Sequence, residues 1–218
     1  MPGSGATREP VTRDRIGQAA LRILDDASDE SALTMRSLAD ALGVQAPSLY
    51  AHITGIDEVI DLVHARINGT IDVSPLEASD SLEGLREFAH LYREAYRRHP
   101  AASSIIVMRT INAGHALAVY EAIASCLGRS GVPVGAVMPC MALLDNLVLG
   151  SAIEPFADGF RGPASEYRRR YPHLAEALRS SHRRRIDDEG FELGLASFLD
   201  LVRSLAVPAG EGATVRGR

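Results

Sequence analysis

The stretch between Leu33 and Ile53 constrains this chain more than any other. Leu38, Ala39 and Leu42 recur at helical spacing, Thr34 is placed to cap the helix they define, and Gly43 can end it in the left-handed conformation that glycine tolerates. After Val44 and Gln45, a second short helix is predicted over residues 46–52, with Pro47 in its first turn, where a missing N–H costs nothing. Leu49 and Ile53, four apart, face inward, and Val44 plugs the angle between the helices. Ala46, Ser48, Tyr50 and His52 are left on the outer face. Two short helices across a three-residue turn have helix-turn-helix spacing, in which the second helix enters a major groove. Any two amphipathic helices joined by glycine share that spacing, so it leaves DNA recognition and plain packing both open.

The outer residues suit DNA chemistry. Ser48 can serve a base edge or a phosphate, and Ala46 can meet a thymine methyl. Tyr50 and His52 can donate to phosphates, which fix register without reading sequence. Arg36 can reach a guanine edge or a phosphate, and Thr34 with the N–H groups it caps can hold a phosphate at a positive helix end.

The rest of the chain keeps helical periodicity. Helices are predicted over 12–27, where Ile16, Ala20 and Leu24 share a face, and over 56–71, with Ile56, Val59, Ile60, Val63 and Ile67 as its stripe. A Ser/Pro/acid-rich boundary at 73–81 precedes helices over 82–98, 101–109, 114–129, 133–153 and 191–205, with a partly helical, arginine-rich stretch over 166–185. The predicted fold is all-α and carries no strand. It comprises a flexible arm (1–11), a three-helix helix-turn-helix domain with a following helix (12–71), a larger helical domain (72–207) and a disordered tail (208–218).

Composition narrows the classes without naming one. The 23 basic residues are all arginine and face 28 acids, a net charge of −5, so the chain lacks the basic footprint common in DNA-binding domains. Cys126 and Cys140 read as reduced thiols rather than a disulfide framework. The longest uncharged run, residues 130–144, has 15 residues, short of the roughly 18–20 needed to cross a bilayer. The N-terminus has no apolar secretory core, so a cytoplasmic, non-membrane protein is expected. No Gly-rich phosphate loop, nucleophile elbow or metal-ligand spacing is present, so neither enzyme activity, a cofactor nor a metal is expected. Arg168–Arg170 and Arg183–Arg185 read as solvated faces balanced by Asp187, Asp188 and Glu189.

Residues 12–71 resemble the DNA-binding domain of the tetracycline-repressor (TetR) family. The likeness is carried by Ile16…Ala20…Leu24, Leu33-Thr34-Met35-Arg36-Ser37-Leu38-Ala39, Leu42-Gly43-Val44 and Pro47-Ser48-Leu49-Tyr50-Ala51-His52. Residues 47–53 are especially similar to the tetracycline-responsive branch, and residues 149–154 more weakly so. The resemblance implies that Arg36 reads bases, that Gln45, Ala46, Pro47 and Ser48 lie in the major groove, and that Tyr50 and His52 contact phosphate. Many relatives carry a lysine at the start of the next helix, where this chain has Ile56, so one positioning contact is missing.

The resemblance also implies a helical C-terminal domain that binds a small molecule and dimerises. The helix over 133–153 supports this independently, because it is apolar almost all round and must be covered on every side. Val137, Met141, Leu144 and Val148, with Phe191, Leu195, Phe198 and Val202, are the expected faces of a four-helix dimer interface. His64, Phe88, Tyr92, Met108, Arg109, Asn112, His115, Met141, Asp145 and Asn146 are the expected ligand residues, lining a largely apolar pocket with a few orienting polar groups. The reading is therefore a homodimeric repressor released from a palindromic operator on double-stranded DNA by a small, largely apolar effector. The alternatives are a helical ligand-binding or scaffold protein that has lost DNA binding, and an activator of the same fold.

Overall fold

The computed structural model describes residues 10–27, 29–107, 116–153, 156–160, 162–181 and 185–206. The expected arm (save Pro10 and Val11) and tail lie outside these residues, as do Met108, Arg109, Asn112 and His115. The helices are α1 (Arg13–Ala27), α2 (Met35–Leu42), α3 (Ala46–Leu49), α4 (Ile56–Asn68), α5 (Ser81–Arg97), α6 (Pro100–Val107), α7 (Leu117–Arg129), α8 (Val134–Ile153), α9 (Ala164–Tyr167), α10 (Pro172–Ser180) and α11 (Ile186–Leu205). Among the described residues there is no strand.

The chain divides into two compact units, Met1–Thr70 with His99–His115, and Ile71–Arg98 with Ala116–Arg218. The predicted boundary near residue 71 is therefore crossed by α6, which packs against α1 and α4 of the first unit. Periodicity marks α6 as a helix but cannot say which core receives Ala102 and Ile106, both buried. His99, just ahead of α6, reinforces the docking, with Nδ1 2.9 Å from a carboxylate oxygen of Asp25 on α1.

In the first unit α1 lies along α4, with Ile16, Ala20, Leu24, Val59, Val63 and Ile67 forming the shared core. Burying each of the isoleucine, leucine and valine side chains stabilises the fold by roughly 1.5–3 kcal/mol. In the second unit α5, α7, α8 and α11 pack together. The crossing from the preceding 3-10 turn (Ser74–Glu77) into α5 requires Gly84, because a Cβ there would sit 2.1 Å from the Pro75 carbonyl oxygen.

Helix α8 departs from expectation. It is long and apolar enough to cross a bilayer, yet it packs on α5, α7 and α11, and only 33% of its most apolar window is buried. The buried side holds Cys140, Met141, Leu144, Val148, Leu149 and Ala152. Met141, Leu144 and Val148, and likewise Phe191, Leu195, Phe198 and Val202 of α11, are therefore committed to the core of their own chain, and only Val137 of the expected interface set is not buried. The most apolar positions of an amphipathic helix are the ones its own fold takes first. What α8 and α11 leave outside is a mixed face that includes Leu143, Asn146 and Gly150, and Gly190, Leu193, Ser197 and Leu201.

Candidate nucleic-acid interface and ligand pocket

The helix-turn-helix forms as the sequence requires. Thr34 caps α2, its hydroxyl accepting from the Ser37 N–H at 3.0 Å while Ser37 Oγ accepts from the Thr34 N–H at 3.0 Å. Two of the four N–H groups that a helix start leaves open are thus satisfied reciprocally. Gly43 ends α2 with φ 67°, and the Val44 N–H returns to the Ala39 carbonyl at 3.0 Å. Gln45 precedes α3, and Pro47 occupies its first turn.

Helix α3 is shorter than predicted, Ala46–Leu49 rather than 46–52. The chain leaves it through a turn in which the N–H groups of His52 and Ile53 both reach the Leu49 carbonyl. Leu49 and Ile53 are buried beneath it. Arg36, Gln45, Pro47, Ser48 and Tyr50 are exposed, as is Thr34, while Ala46 and His52 are half-buried. These residues lie on α2 and its N-cap, on α3 and in the turns that flank it.

Two clamps that sequence reading missed hold this segment on α1 and α4. Arg13 Nη1 donates to the His52 carbonyl at 2.9 Å and also meets the Glu58 carboxylate. Glu58 accepts from the Thr54 N–H at 2.7 Å and from its hydroxyl at 3.0 Å. These contacts, the Thr54 N–H foremost and Arg13 next, hold the Glu58 carboxyl below the usual carboxylate range. The signal available in sequence was Glu58 in the third position of α4, where a carboxylate reaches back to open N–H groups.

In the second unit, three expected ligand residues converge. Tyr92 of α5 donates its hydroxyl to Asp145 of α8 at 2.6 Å. Asp145 and Met141 line a cavity of about 200 Å³ with Met138, Ala142 and, from α7, Tyr120. Phe88 is buried with its ring centroid 5.5 Å from that of Tyr92, whose ring stands 5.5 Å from that of Tyr96. Asn146 is exposed and lines a separate groove between α8 and α11. His64 is buried in α4 of the first unit. Sequence reading did not single out Tyr96, Tyr120 or Met138; the Tyr92/Tyr96 spacing of four on one helix was the available signal.

Burial decides the electrostatics here. It pushes the Asp145 carboxyl above its ordinary range, outweighing the Tyr92 hydrogen bond that favours the anion. Burial first, and the Asp145 charge next, push Tyr92 well above the usual phenol value and Tyr120 to about 12. The tyrosines are therefore neutral donors at physiological pH.

No family model matches the chain. Its sequence is 32% identical over 146 residues to an HTH-type transcriptional regulator of Saccharopolyspora erythraea, covering 66% of this chain and 61% of that one. It is 27% identical over 151 residues to the HTH-type transcriptional repressor DrrR1 of Streptomyces coeruleorubidus, covering 68% and 55%. The match thus spans less than two thirds of either curated relative. Among solved structures, the TetR family protein ActR of Streptomyces coelicolor in complex with (S)-DNPA aligns at TM-score 0.75 and 28% identity over 91% of this chain and 100% of that one. The same protein in complex with actinorhodin aligns at 0.74 and 29%, over 94% and 99%. With the Leu33–Ile53 geometry and these alignments together, the chain is similar in sequence to helix-turn-helix transcriptional regulators and in fold to TetR family proteins.

Proposed function

We propose that this protein is a cytoplasmic, homodimeric transcriptional repressor that holds a palindromic operator and releases it when a small molecule occupies the second unit. The observation that carries this reading is the capped helix-turn-helix with Arg36, Gln45, Pro47, Ser48 and Tyr50 exposed and Leu49 and Ile53 buried, which leaves mainly polar side chains outward on the helix that such motifs place in a major groove. ActR in complex with actinorhodin and a repressor's name on DrrR1 support effector-responsive repression. The likeness of residues 47–53 to the tetracycline-responsive branch is confined to this reading surface, so it bears on operator contact and not on the effector. A small-molecule effector site, with one carboxylate among aromatic and thioether side chains, fits the Tyr120–Asp145 cavity.

A dimer presents two such surfaces to successive major grooves, roughly 34–36 Å or a multiple apart. Leu143 and Gly150 of α8 with Leu193 and Leu201 of α11 form the face on which two copies meet, replacing the residues that the core has taken. Linkage supplies the switch: an effector that prefers the conformation with the surfaces wrongly spaced lowers DNA affinity by its differential affinity for the two states.

Fluorescence anisotropy with the intergenic DNA beside the protein's own gene tests the reading. Binding is expected, with Arg36→Ala and Tyr50→Ala each weakening it at least ten-fold. Unchanged affinity in both variants overturns the assignment. A second reading, a helical ligand-binding protein that does not hold DNA, is favoured by the opening of α4, where Ile56, Asp57 and Glu58 offer phosphate no cation; absence of any binding to that DNA at low salt would establish it.

A further inference from the structure

Resting on the reading of the second unit as an effector domain, the chemical class of its ligand can be taken further. Asp145 presents a carboxylate to the cavity between α7 and α8, with Tyr120, Met138, Met141 and Ala142 around it. Its hydrogen-bond partner is the Tyr92 hydroxyl, a neutral donor. No arginine among the described residues pairs with it. Arg93 and Arg97 are committed to Asp188, Arg98 to Glu94, Arg86 to Glu83, and Arg129 to Ser125 and the Leu76 carbonyl. The chain contains no lysine. A carboxylate withdrawn from water without a cation is costly, and one on a cavity wall can be compensated from the cavity. The rest of the wall points the same way. Tyrosine faces attract cations, and methionine thioethers pack well on aromatic rings.

We propose that the cavity takes an amine-bearing aromatic ligand, its ammonium on the Asp145 carboxylate and its ring system against Tyr120, Met138 and Met141. At about 200 Å³ the cavity is smaller than the roughly 300–1,000 Å³ of sites that enclose a whole drug-sized molecule. It therefore accommodates the cationic end of a larger ligand or a compound of about two fused rings. Charge is the basis of selection: a neutral ligand of the same shape leaves Asp145 uncompensated, and an anion of that shape is repelled by it.

Three naphthalene probes of nearly one shape test this on the full-length protein: 1-naphthylmethylamine (cationic at neutral pH), 1-naphthalenemethanol (neutral) and 1-naphthoate (anionic). The chain has no tryptophan, so naphthalene fluorescence is read over a tyrosine-only background. The amine is expected to bind at least ten-fold more tightly than the alcohol, with the naphthoate weakest. Asp145→Asn keeps a hydrogen-bond acceptor for Tyr92 and is expected to bring amine and alcohol to parity. Met138→Lys sets a cation at a rim position that is 68% exposed, and is expected to weaken the amine and strengthen the naphthoate even if Asp145→Asn fails to fold. Equal binding of amine and alcohol, a preference that survives in both variants, or no binding of any probe overturns the proposal. Operator release is measured on the same samples. An amine that binds through Asp145 while DNA stays bound establishes the site and removes only the effector role proposed above; operator-free protein that shows no charge preference removes the site and leaves that role standing.

Discussion

Replacing Asp188 by alanine strands a charge, and a second substitution should undo the damage. Arg93 of α5 is buried, its side chain 7% exposed. Its Nη1 meets Asp188 at 2.8 Å, its Nε donates to Ser151 Oγ at 3.1 Å, its Nη2 reaches the Asp187 carbonyl at 3.4 Å, and its guanidinium lies 4.4 Å from the centroid of the Phe191 ring. One side chain thereby ties α5 to α8 and α11. Asp188, by contrast, is 54% exposed. Removing Asp188 leaves a buried guanidinium without its carboxylate, a class of change costing about 3–5 kcal/mol. The serine, the carbonyl and the ring remain, so the low end, about 3 kcal/mol, is expected for Asp188→Ala. At roughly 2–4 °C per kcal/mol for a chain of this size, that is a fall in Tm of about 6–12 °C. Arg93→Met keeps the aliphatic stem and removes the charge. In the Asp188→Ala background it should recover about 2 kcal/mol, because packed apolar side chains commonly match a buried ion pair. Arg93→Met alone frees an already solvated Asp188, which Arg97 still meets at 3.0 Å, and should lie within about 1 kcal/mol of wild type. Urea denaturation of the four proteins at one fixed protein concentration reads the cycle. A double variant no more stable than Asp188→Ala refutes the reasoning, since it would mean that Arg93 was never stranded.

Leu193→Glu, at a position 72% exposed, should halve the sedimenting mass and leave the helical circular dichroism intact, whereas Leu195→Glu, two residues on but fully buried, should unfold the second unit; identical behaviour of the pair would contradict the division into outer and core faces. Gly43→Val forces a β-branched residue into φ 67° with no atom within 4 Å of the new Cβ, so it should cost about 1–2 kcal/mol of backbone strain alone, seen as a lower Tm and weaker operator binding. Asp188 has its pKa lowered, chiefly by the Arg93 hydrogen bond; a depressed carboxyl contributes stability above its unfolded pKa, near 4, and loses it as pH falls through the folded value, so the gap between wild type and Asp188→Asn should close below about pH 4 in acid titrations followed by circular dichroism. The raised pKa of Asp145 has the opposite sign. Its charged form is disfavoured by folding, and affinity for 1-naphthylmethylamine should rise with pH through that value and then level, since the facing tyrosines stay neutral; affinity independent of pH between about 3 and 8 would count against a carboxylate partner.

The helices were legible because periodicity reports which residues face inward, but it does not report what they face. Leu144 and Leu195 answer the same pattern as an interface residue would, and each is fully buried in its own chain. The outer face of α8 and α11 carries Gly150, Gly190, Asn146 and Ser197 among its leucines, so no apolar stripe announces it. The same blindness put α6 with the wrong core. Asp187, Asp188 and Glu189 looked like counterweights to the arginines at 183–185. The structure gives that role to Glu189, which pairs with Arg185, and sends Asp188 across to Arg93 and Arg97. Such pairings join residues some ninety apart in sequence, a separation that no local window covers. Around the cavity, Tyr92, Met141 and Asp145 were legible as polar and soft residues on apolar helices, whereas Tyr120 needed the packing of α7 on α8 to find its place.

The net charge acquires a different meaning once the acids are placed. Residues 1–70 hold six arginines and ten acids, a net of −4, which as a bare number opposes DNA binding. Yet Glu58 is occupied by Arg13 and Thr54, Asp14 by Arg66, and Asp25 by His99. These acids are spent holding α1, α4 and α6 together, while Arg36 stands exposed at the start of α2 with no acid among the described residues paired to it. Internal pairing lowers the local repulsion without adding cations, so the proposed reading surface would tolerate DNA more than attract it. On the proposed reading, affinity comes from groove contacts by Gln45, Ser48 and their neighbours, with few counterions released. Log affinity should accordingly fall with log salt at a slope of only about −2 to −4 per dimer, given roughly −0.9 per phosphate neutralised. A slope near −10 would require phosphate contacts that these residues do not offer.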